Sequence, residues 1–191
     1  MTRETNGEVL TEATFRGSTC YIIERDYWHL THPNGFLFNN AFVGKGFCWS
    51  VSAMNLMPEM QNAATLYGLN ARFADKEADW DRVREAEFPA LPTRINALFL
   101  FDDEELARRA AANPDWFGNE ERLLVKARLV DGSRVFRADA GWLDNAAPGQ
   151  FAERASRYWS GEMTSSPMPE IIVCGLVYFP DWPEPPFGST T

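Results

Sequence analysis

The order of strand-type and helix-type patterns constrains the fold of this chain more than any other feature. Segments rich in aliphatic and aromatic residues, typical of strands, outnumber the helical segments, and the two kinds do not alternate regularly. A doubly wound parallel sheet needs a helix after each strand. The observed order therefore predicts an α+β fold with a split, mostly antiparallel β-sheet and flanking helices. Because neither GxGxxG nor GxxxxGK[S/T] occurs, Rossmann and P-loop folds are excluded.

The predicted strands are apolar or alternating segments bounded by turn residues. They lie at 19–23, 26–31, 96–101, 122–130, 133–138, 170–174 and 175–179. Asp131-Gly132 predicts a hairpin between the fourth and fifth of these strands. Gly175 predicts a kink, around which the last two segments form one strand or two. The aromatic segment Phe36–Val51, interrupted by two glycines, predicts a strand or a loop over a cleft.

Three stretches have the spacing or the end signals of helices. The pattern turns helical from Asn55 to Glu87, and Phe88-Pro89 ends it. Asp102 or Asp103 is the predicted N-cap of a helix over residues 104–112, and a short helix covers 150–159. His32-Pro-Asn-Gly predicts a turn.

Length and composition predict one globular domain over residues 1–191, with an N-terminal extension at 1–18 and a Pro-rich tail at 180–191. The formal charge of −9 disfavours non-specific binding to nucleic acid duplexes. The N-terminus lacks a leader pattern, and the apolar runs are too short to cross a membrane. We therefore expect a cytoplasmic protein with no membrane partner.

Three cysteines stand at widely spaced positions, Cys20, Cys48 and Cys174. No CxxC pair or histidine-rich set accompanies them, so the sequence predicts buried thiols in a reducing compartment and no metal site.

Two charged residues adjoin predicted strands and are candidates for chemistry. Glu170 opens the strand Glu-Ile-Ile-Val-Cys, where burial raises a carboxyl pKa and a strand fixes its direction. An edge charge before a core strand is the open structural alternative. Arg94 follows Pro92-Thr93 and is suited to pair with a phosphate through two hydrogen bonds, or to form a salt bridge to the acidic helix before it.

Aromatic residues and one histidine supply further candidates. In an alternating strand His29 shares a face with Tyr27 and Thr31, and this face can line a cleft or belong to the core. Tyr158, followed by Trp159, can stack on a ring or pack in the core.

These segments, in this order, resemble the ADP-ribosyltransferase superfamily, in particular its small bacterial toxin-like members. The similar blocks are Tyr27-Trp-His-Leu-Thr and Tyr158-Trp-Ser-Gly followed by Glu170-Ile-Ile-Val. The stretch 85–107 around Pro-Thr-Arg94 resembles a block of an uncharacterised bacterial family near the nucleic-acid-modifying branch of these enzymes. The resemblance implies a catalytic role for Glu170. It also implies that Arg94 holds the NAD pyrophosphate or assists proton movement at the acceptor.

The same resemblance assigns the residues that bind NAD, which is a substrate in this superfamily. They are Tyr27, His29 and Thr31 for the ribose or nicotinamide side, Phe99 or Phe101 in place of a stacking tyrosine, and Tyr158. The implied activity is transfer of ADP-ribose to a nucleic acid or protein, as a toxin or defence effector with a neutralising partner protein. Met168 stands where a paired Glu or Gln would precede Glu170, which makes arginine-directed protein modification less expected.

Other interpretations remain open at this point. A rival alignment uses Arg16 as the arginine of a first strand, with Ser50 and Ser52 on a serine-rich strand. The chain can instead hydrolyse NAD as a glycohydrolase, or bind a nucleotide or a protein without catalysis. A third possibility is an acidic partner-binding domain that has no affinity for NAD.

Overall fold

The computed structural model describes residues 2–5, 7–33, 36–65, 68–69, 71–117, 121–144 and 146–181. All the helices and strands that follow refer to these residues. They form an α+β fold in which every strand pair with a defined register is antiparallel, as the sequence predicts. The chain divides into two compact units, each assembled from separated segments. A single domain over 1–191 therefore stays a prediction.

Unit 1 comprises the described residues of Met1–Trp49, Leu100–Ser133 and Leu176–Thr191. Its strands and helices are β1 (Thr2–Thr5), β2 (Glu8–Phe15), β3 (Ser18–Ile23), β4 (Tyr27–Thr31), α1 (Phe36–Val43), β5 (Phe47–Trp49), α4 (Glu104–Ala111), α5 (Pro114–Phe117), β7 (Leu123–Leu129) and β10 (Leu176–Tyr178). They form two sheets, with the strand orders β1-β2-β3 and β4-β7-β10-β5. Ile22, Phe47, Val130 and Leu176 form a buried apolar cluster in this unit.

Unit 2 comprises Ser50–Phe99 and Arg134–Gly175 within the described residues. It contains α2 (Val51–Met54), α3 (Ala71–Glu87), β8 (Arg134–Asp139), a 3-10 turn (Ala140–Trp142), a second 3-10 turn (Pro148–Gln150), α6 (Phe151–Trp159) and β9 (Pro169–Cys174). β6 (Leu98–Leu100) begins in this unit, and β9 is the central strand of the order β6-β9-β8. α3 packs on α6.

Several local predictions are confirmed. Asp103 is the N-cap of α4, because its carboxylate accepts a hydrogen bond from the Leu106 N–H at 2.7 Å. α3 ends at Glu87, directly before Phe88-Pro89. Gly175 separates β9 and β10, which belong to different sheets.

The prediction of a strand or loop over Phe36–Val51 is wrong for the first half of that segment, because α1 covers Phe36–Val43, while β5 forms a strand in the second half. The helix ends in a Schellman motif, in which the Gly46 N–H donates to the Ala41 carbonyl and the Lys45 N–H to the Phe42 carbonyl. Lys45 takes the left-handed conformation, with φ at +53°, that glycine usually supplies there.

The predicted hairpin between 122–130 and 133–138 is also wrong, although its turn is present. Asp131-Gly132 reverses the chain, yet the Val130 N–H donates to the Leu176 carbonyl and the Asp131 N–H to the Tyr21 carbonyl. β7 consequently pairs with β4 and β10, while β8 pairs with β9. Turn residues specify a reversal, but long-range pairing partners decide which strands join.

The two ends of the chain were predicted as an extension and a tail. The segment expected as an N-terminal extension forms β1 and β2 of a three-stranded sheet. Of the Pro-rich tail, residues 182–191 lie outside the described residues, as do Asn34 and Gly35 of the predicted turn.

Candidate functional site

Arg94 lies in a tight turn that leads into β6. The Thr93 hydroxyl donates to the Asp81 carboxylate at 2.7 Å and accepts from the Ile95 N–H at 3.1 Å. The Ala97 N–H donates to the Arg94 carbonyl at 3.1 Å, and Asn96 adopts a left-handed φ of +61° that asparagine tolerates well. The turn therefore fixes the direction in which the arginine side chain leaves the backbone.

Glu170 lies on β9, opposite Ala138 of β8. The loop before it is held by Asp139, whose carboxylate accepts hydrogen bonds from the Thr164 N–H and hydroxyl, the Met168 N–H and the Gly141 N–H at 2.6–2.9 Å. Burial by itself would raise the pKa of Asp139, but these four donors hold the pKa below its usual value of 3.8. The start of β9 is thus anchored by a carboxylate that stays ionised.

Two helices supply the remaining polar groups of the cluster. α3 contributes Glu77 and α6 contributes Tyr158, and the Trp159 indole N–H binds the helices together by donating to the Trp80 carbonyl at 2.8 Å. Glu77 is 6% exposed and Tyr158 is fully buried. Both side chains are therefore fixed by the packing of α3 on α6.

Three side chains, those of Glu77, Tyr158 and Glu170, converge on the Arg94 guanidinium. Its Nε donates to the two carboxylate oxygens of Glu77 at 3.2 and 3.4 Å, and its Nη1 donates to the Tyr158 hydroxyl at 2.6 Å and to Oε1 of Glu170. The Tyr158 hydroxyl donates in turn to the same Oε1 at 2.7 Å. We call Glu77, Arg94, Tyr158 and Glu170 the buried cluster.

The two oxygens of Glu170 have different surroundings. Oε1 receives both the guanidinium and the phenol, whereas no donor reaches Oε2 within the described part of the chain. Glu170 is 5% exposed, and Oε2 is not among the fully buried side-chain atoms that lack a partner in the described residues. One oxygen is held, and the other can accept a hydrogen bond from a ligand.

Electrostatics in the cluster are set by burial. Burial raises the pKa of Tyr158 well above its usual value, so the phenol keeps its proton and remains a donor. Burial also lowers the pKa of the neighbouring Lys76, and the nearby Glu77 carboxylate opposes that change. Two carboxylates and one guanidinium thus share a site from which water is largely excluded.

Phe99 adds an aromatic face to the same unit. The Arg94 guanidinium carbon lies 4.9 Å from the centre of the Phe99 ring and 5.2 Å from that of Tyr158. Cation–π contacts of this kind hold the guanidinium further in place. Phe99 itself is only half-buried.

Four of the predicted site residues therefore meet in unit 2, and the other four lie in unit 1. Tyr27, His29 and Thr31 alternate along β4, where the His29 ring packs edge-on against Phe179 with ring centres 6.2 Å apart. Phe101 pairs with Trp28 through two backbone hydrogen bonds of 2.8 and 3.0 Å.

Two aromatic residues that the resemblance assigns to NAD binding have buried rings, and their stacking on NAD stays a prediction. Tyr158 is fully buried and packs edge-on against Trp80 and Trp159, and Phe101 is 3% exposed. Neither ring offers a free face to nicotinamide. Tyr158 belongs to the site through its hydroxyl instead.

The rival alignment is wrong in its strand assignments. Arg16 and Gly17, with φ of +50° and +80°, form the two-residue turn between β2 and β3 rather than part of a strand. Ser50 is the N-cap of α2 and Ser52 lies inside that helix. The Ser50 hydroxyl accepts from the Ala53 and Gly175 N–H groups, which is a structural use.

The sequence reading missed two residues of the site, Glu77 and Asp139. Glu77 sits in the charged run of α3 and resembles a solvated residue there, but it lies three positions before the buried Trp80 and so on the same helical face. Asp139 is followed by Ala-Gly-Trp and caps a 3-10 turn, a signal that N-cap rules recognise.

Other features of the described residues bear on the remaining predictions. The three thiols are free; Cys48 and Cys174 are buried and Cys20 is partly buried. No group of three or more His, Cys, Asp or Glu side chains able to hold a metal ion is found in the described part of the chain. Among the same residues, no helix has the length and apolarity needed to cross a membrane.

Comparison with known proteins gives a family. A search of curated proteins found no match. The model of the family described as "Protein of unknown function (DUF2441)" matches residues 48–180, which include the whole buried cluster. Since the match covers more than half of the chain, this protein belongs to the DUF2441 family.

Proposed function

We propose that the protein is an NAD-dependent ADP-ribosyltransferase that transfers ADP-ribose to a macromolecular acceptor. The observation that carries the proposal is the asymmetry of Glu170, whose Oε1 is fixed by Arg94 and Tyr158 while Oε2 lacks a donor in the described residues. A carboxylate held in this way can accept a hydrogen bond from a ribose hydroxyl at a defined position. Four residues chosen from the sequence for this activity, Arg94, Phe99, Tyr158 and Glu170, lie together in support of it.

Transfer of ADP-ribose from NAD requires a charged carboxylate in a poorly hydrated site. The bond between ribose C1′ and the nicotinamide nitrogen breaks, and its electron pair leaves with nicotinamide. An oxygen or nitrogen of the acceptor bonds to C1′ and releases its proton. The ribose carries positive charge in the transition state, which the Glu170 carboxylate stabilises, and such electrostatic terms contribute about 10²-fold or more in rate.

Arg94 takes a different part from the one that the resemblance implies. Its guanidinium is 5% exposed and already pairs with Glu77 and Glu170, so binding of pyrophosphate at this residue has no support in the geometry. In the proposal, Arg94 and Tyr158 orient Glu170. Contacts of NAD with Tyr27, His29, Thr31 and Phe101 rest on the resemblance alone, as does a toxin or defence role with a neutralising partner.

A second candidate function is a non-catalytic module that binds a nucleotide or a protein. The observation in its favour is the depth of the buried cluster, whose four members are 0–6% exposed and form hydrogen bonds within the cluster. A purely structural network has the same appearance. Only an assay of turnover separates the two functions.

The test uses purified protein and NAD labelled in its adenylate part, with DNA, RNA or cell lysate as acceptor. Label on a macromolecule together with nicotinamide release supports the transferase, and free ADP-ribose with water as acceptor identifies a glycohydrolase. NAD binding without release identifies a binding module. If the folded protein neither binds NAD nor releases nicotinamide, NAD is neither its substrate nor its ligand.

The matched variants are Glu170→Gln and Glu162→Gln. Glu162 is a surface residue paired with Arg157 and serves as the control for loss of one carboxylate charge. We expect the first variant to lose at least about 10²-fold in release and the second to match the unsubstituted protein.

A further inference from the structure

Glu77 has no part in the chemistry proposed above, yet it is the second carboxylate on the same arginine. Its side chain is 8% exposed, and both of its oxygens lie 3.2–3.4 Å from Nε of Arg94. A buried ion pair of this kind costs desolvation energy on both sides. Such a cost is unusual in a helix that carries its other acidic residues at its surface or edge.

The guanidinium geometry indicates what Glu77 does. The five N–H donors of arginine lie in one rigid plane, so fixing the Nε edge also fixes the direction of Nη1. Nη1 must reach both the Tyr158 hydroxyl and Oε1 of Glu170. The phenyl ring of Phe99, 4.9 Å from the guanidinium carbon, restricts the remaining movement out of the plane.

We propose that Glu77 is a positioning residue that sets the orientation of the Glu170 carboxylate through Arg94. Glu77 does not itself bond to Glu170; the arginine transmits its effect. The structural part of this inference stands on the contacts alone, and only its effect on turnover rests on the proposed function.

The test measures Glu170 directly, by ¹³C NMR of its side-chain carboxyl group, assigned by its loss in Glu170→Gln. Glu77→Gln keeps the shape of the side chain and removes its charge. We expect this variant to shift the Glu170 carboxyl signal, although position 77 has no bond to it. A role confined to fold stability would leave the Glu170 signal where it is in the folded variant, and that result would overturn the proposal.

Glu85→Gln is the matched control on the same helix. Glu85 is exposed and pairs with Arg84 at 3.3 Å, so its substitution should leave the Glu170 signal unchanged. Glu77→Asp shortens the side chain by one methylene group but keeps its charge. This variant is used instead if Glu77→Gln does not fold. An unmoved Glu170 signal in folded Glu77→Asp also contradicts the proposal.

A measurement on the unsubstituted protein needs no variant to fold. The side-chain Nε–H of Arg94 should exchange with solvent at least about tenfold more slowly than that of Arg128, since Glu77 holds it in a buried site. Equal exchange rates would show that the Nε edge is not held.

The effect on turnover is a separate measurement. In Glu77→Gln we expect kcat for nicotinamide release to fall about tenfold or more with KM for NAD nearly unchanged, because misdirection of a reacting group lowers the rate. Unchanged kcat in this variant, with active unsubstituted protein, contradicts positioning. Absence of release by the unsubstituted protein contradicts the proposed function and leaves the NMR result to decide the role of Glu77.

Discussion

Arg94 and Arg128 each bridge two carboxylates, and the two arginines differ in burial. In unit 2, Arg94 pairs with Glu77 and Glu170, and all three side chains are 6–8% exposed. In unit 1, Arg128 of β7 pairs with Asp26 and Glu24, with side chains 26–37% exposed. We call the second set the surface cluster.

The difference in burial changes what each cluster contributes. Ion pairs near the surface contribute about 0–1 kcal/mol, because water already solvates the separated charges. Moving charges into the interior costs several kcal/mol per ion, which the pairing must offset. The surface cluster forms at little cost in free energy. The buried cluster is costly, and a site that needs charged groups in fixed positions explains why the cost is borne. Burial rather than composition therefore marks the candidate site.

Of all the substitutions, replacement of the arginine in each cluster should give the largest difference in stability between the two clusters. We expect Arg94→Met to lower the free energy of unfolding by about 3–5 kcal/mol, because two carboxylates lose their buried counter-charge. Arg128→Met should lower it by at most about 1 kcal/mol. Urea denaturation of both variants measures the difference, and similar losses would refute the comparison.

Replacing the whole buried cluster sharpens the first result. We expect the free energy of unfolding of Arg94→Met combined with Glu77→Leu, Glu170→Leu and Tyr158→Phe to lie within about 2 kcal/mol of that of the unsubstituted protein, because the charged and hydroxyl groups that pair within the cluster are removed together. Its stability should exceed that of Arg94→Met alone by urea denaturation. If it is no more stable than the single variant, the cluster is needed for the fold itself.

Asp139 is a third kind of carboxylate, which is buried and is stabilised by hydrogen bonds rather than by a cation. We expect Asp139→Asn to lose about 2 kcal/mol at pH 7, because an amide cannot accept from all four donors. The pKa of Asp139 is lowered in the folded protein, so its contribution is complete above the usual value of 3.8 and disappears as pH falls through the lowered pKa.

Urea denaturation between pH 7 and pH 2 checks both statements. The gap between Asp139→Asn and the unsubstituted protein should stay constant down to about pH 5 and close toward pH 2. Asp75→Asn, at an exposed position of α3, is the control and should show no such gap. A gap that persists unchanged at pH 2 would contradict the role of the ionised carboxylate.

Salt should produce the smallest effect. The loss caused by Arg128→Met should fall to nearly zero in 1 M NaCl, since salt screens partly exposed charges. The loss caused by Arg94→Met should persist, because buried pairs are screened much less. Denaturation in urea at low and high NaCl measures both, and an equal salt response would mean that the two clusters share one environment.

Local signals predicted much of the fold. The N-cap Asp103, the Phe88-Pro89 stop of α3 and the Gly175 break are all recorded in a few adjacent residues. The hairpin prediction was wrong because the partners of β7 are β4 and β10, strands distant in sequence. The segment of α1 was misread because a left-handed Lys45 ends the helix where glycine is usual.

The candidate site was predicted in part for the same reason. Arg94 and Glu170 are visible in the sequence because each adjoins a strand. The predicted alternative of a salt bridge from Arg94 to the acidic helix before it is confirmed, but the helix pattern does not single out Glu77 as the partner. The prediction for Tyr158 concerns its ring, whereas its contacts with Arg94 and Glu170 are made by its hydroxyl.

The most direct test of the account is nicotinamide release from NAD by Glu170→Gln and Glu24→Gln, measured beside the unsubstituted protein. Each variant removes one carboxylate from an arginine that bridges two, one in the buried cluster and one in the surface cluster. The account predicts release by the unsubstituted protein, a loss of at least about 10²-fold in Glu170→Gln, and a rate within about twofold in Glu24→Gln. Release at the full rate by folded Glu170→Gln would contradict it.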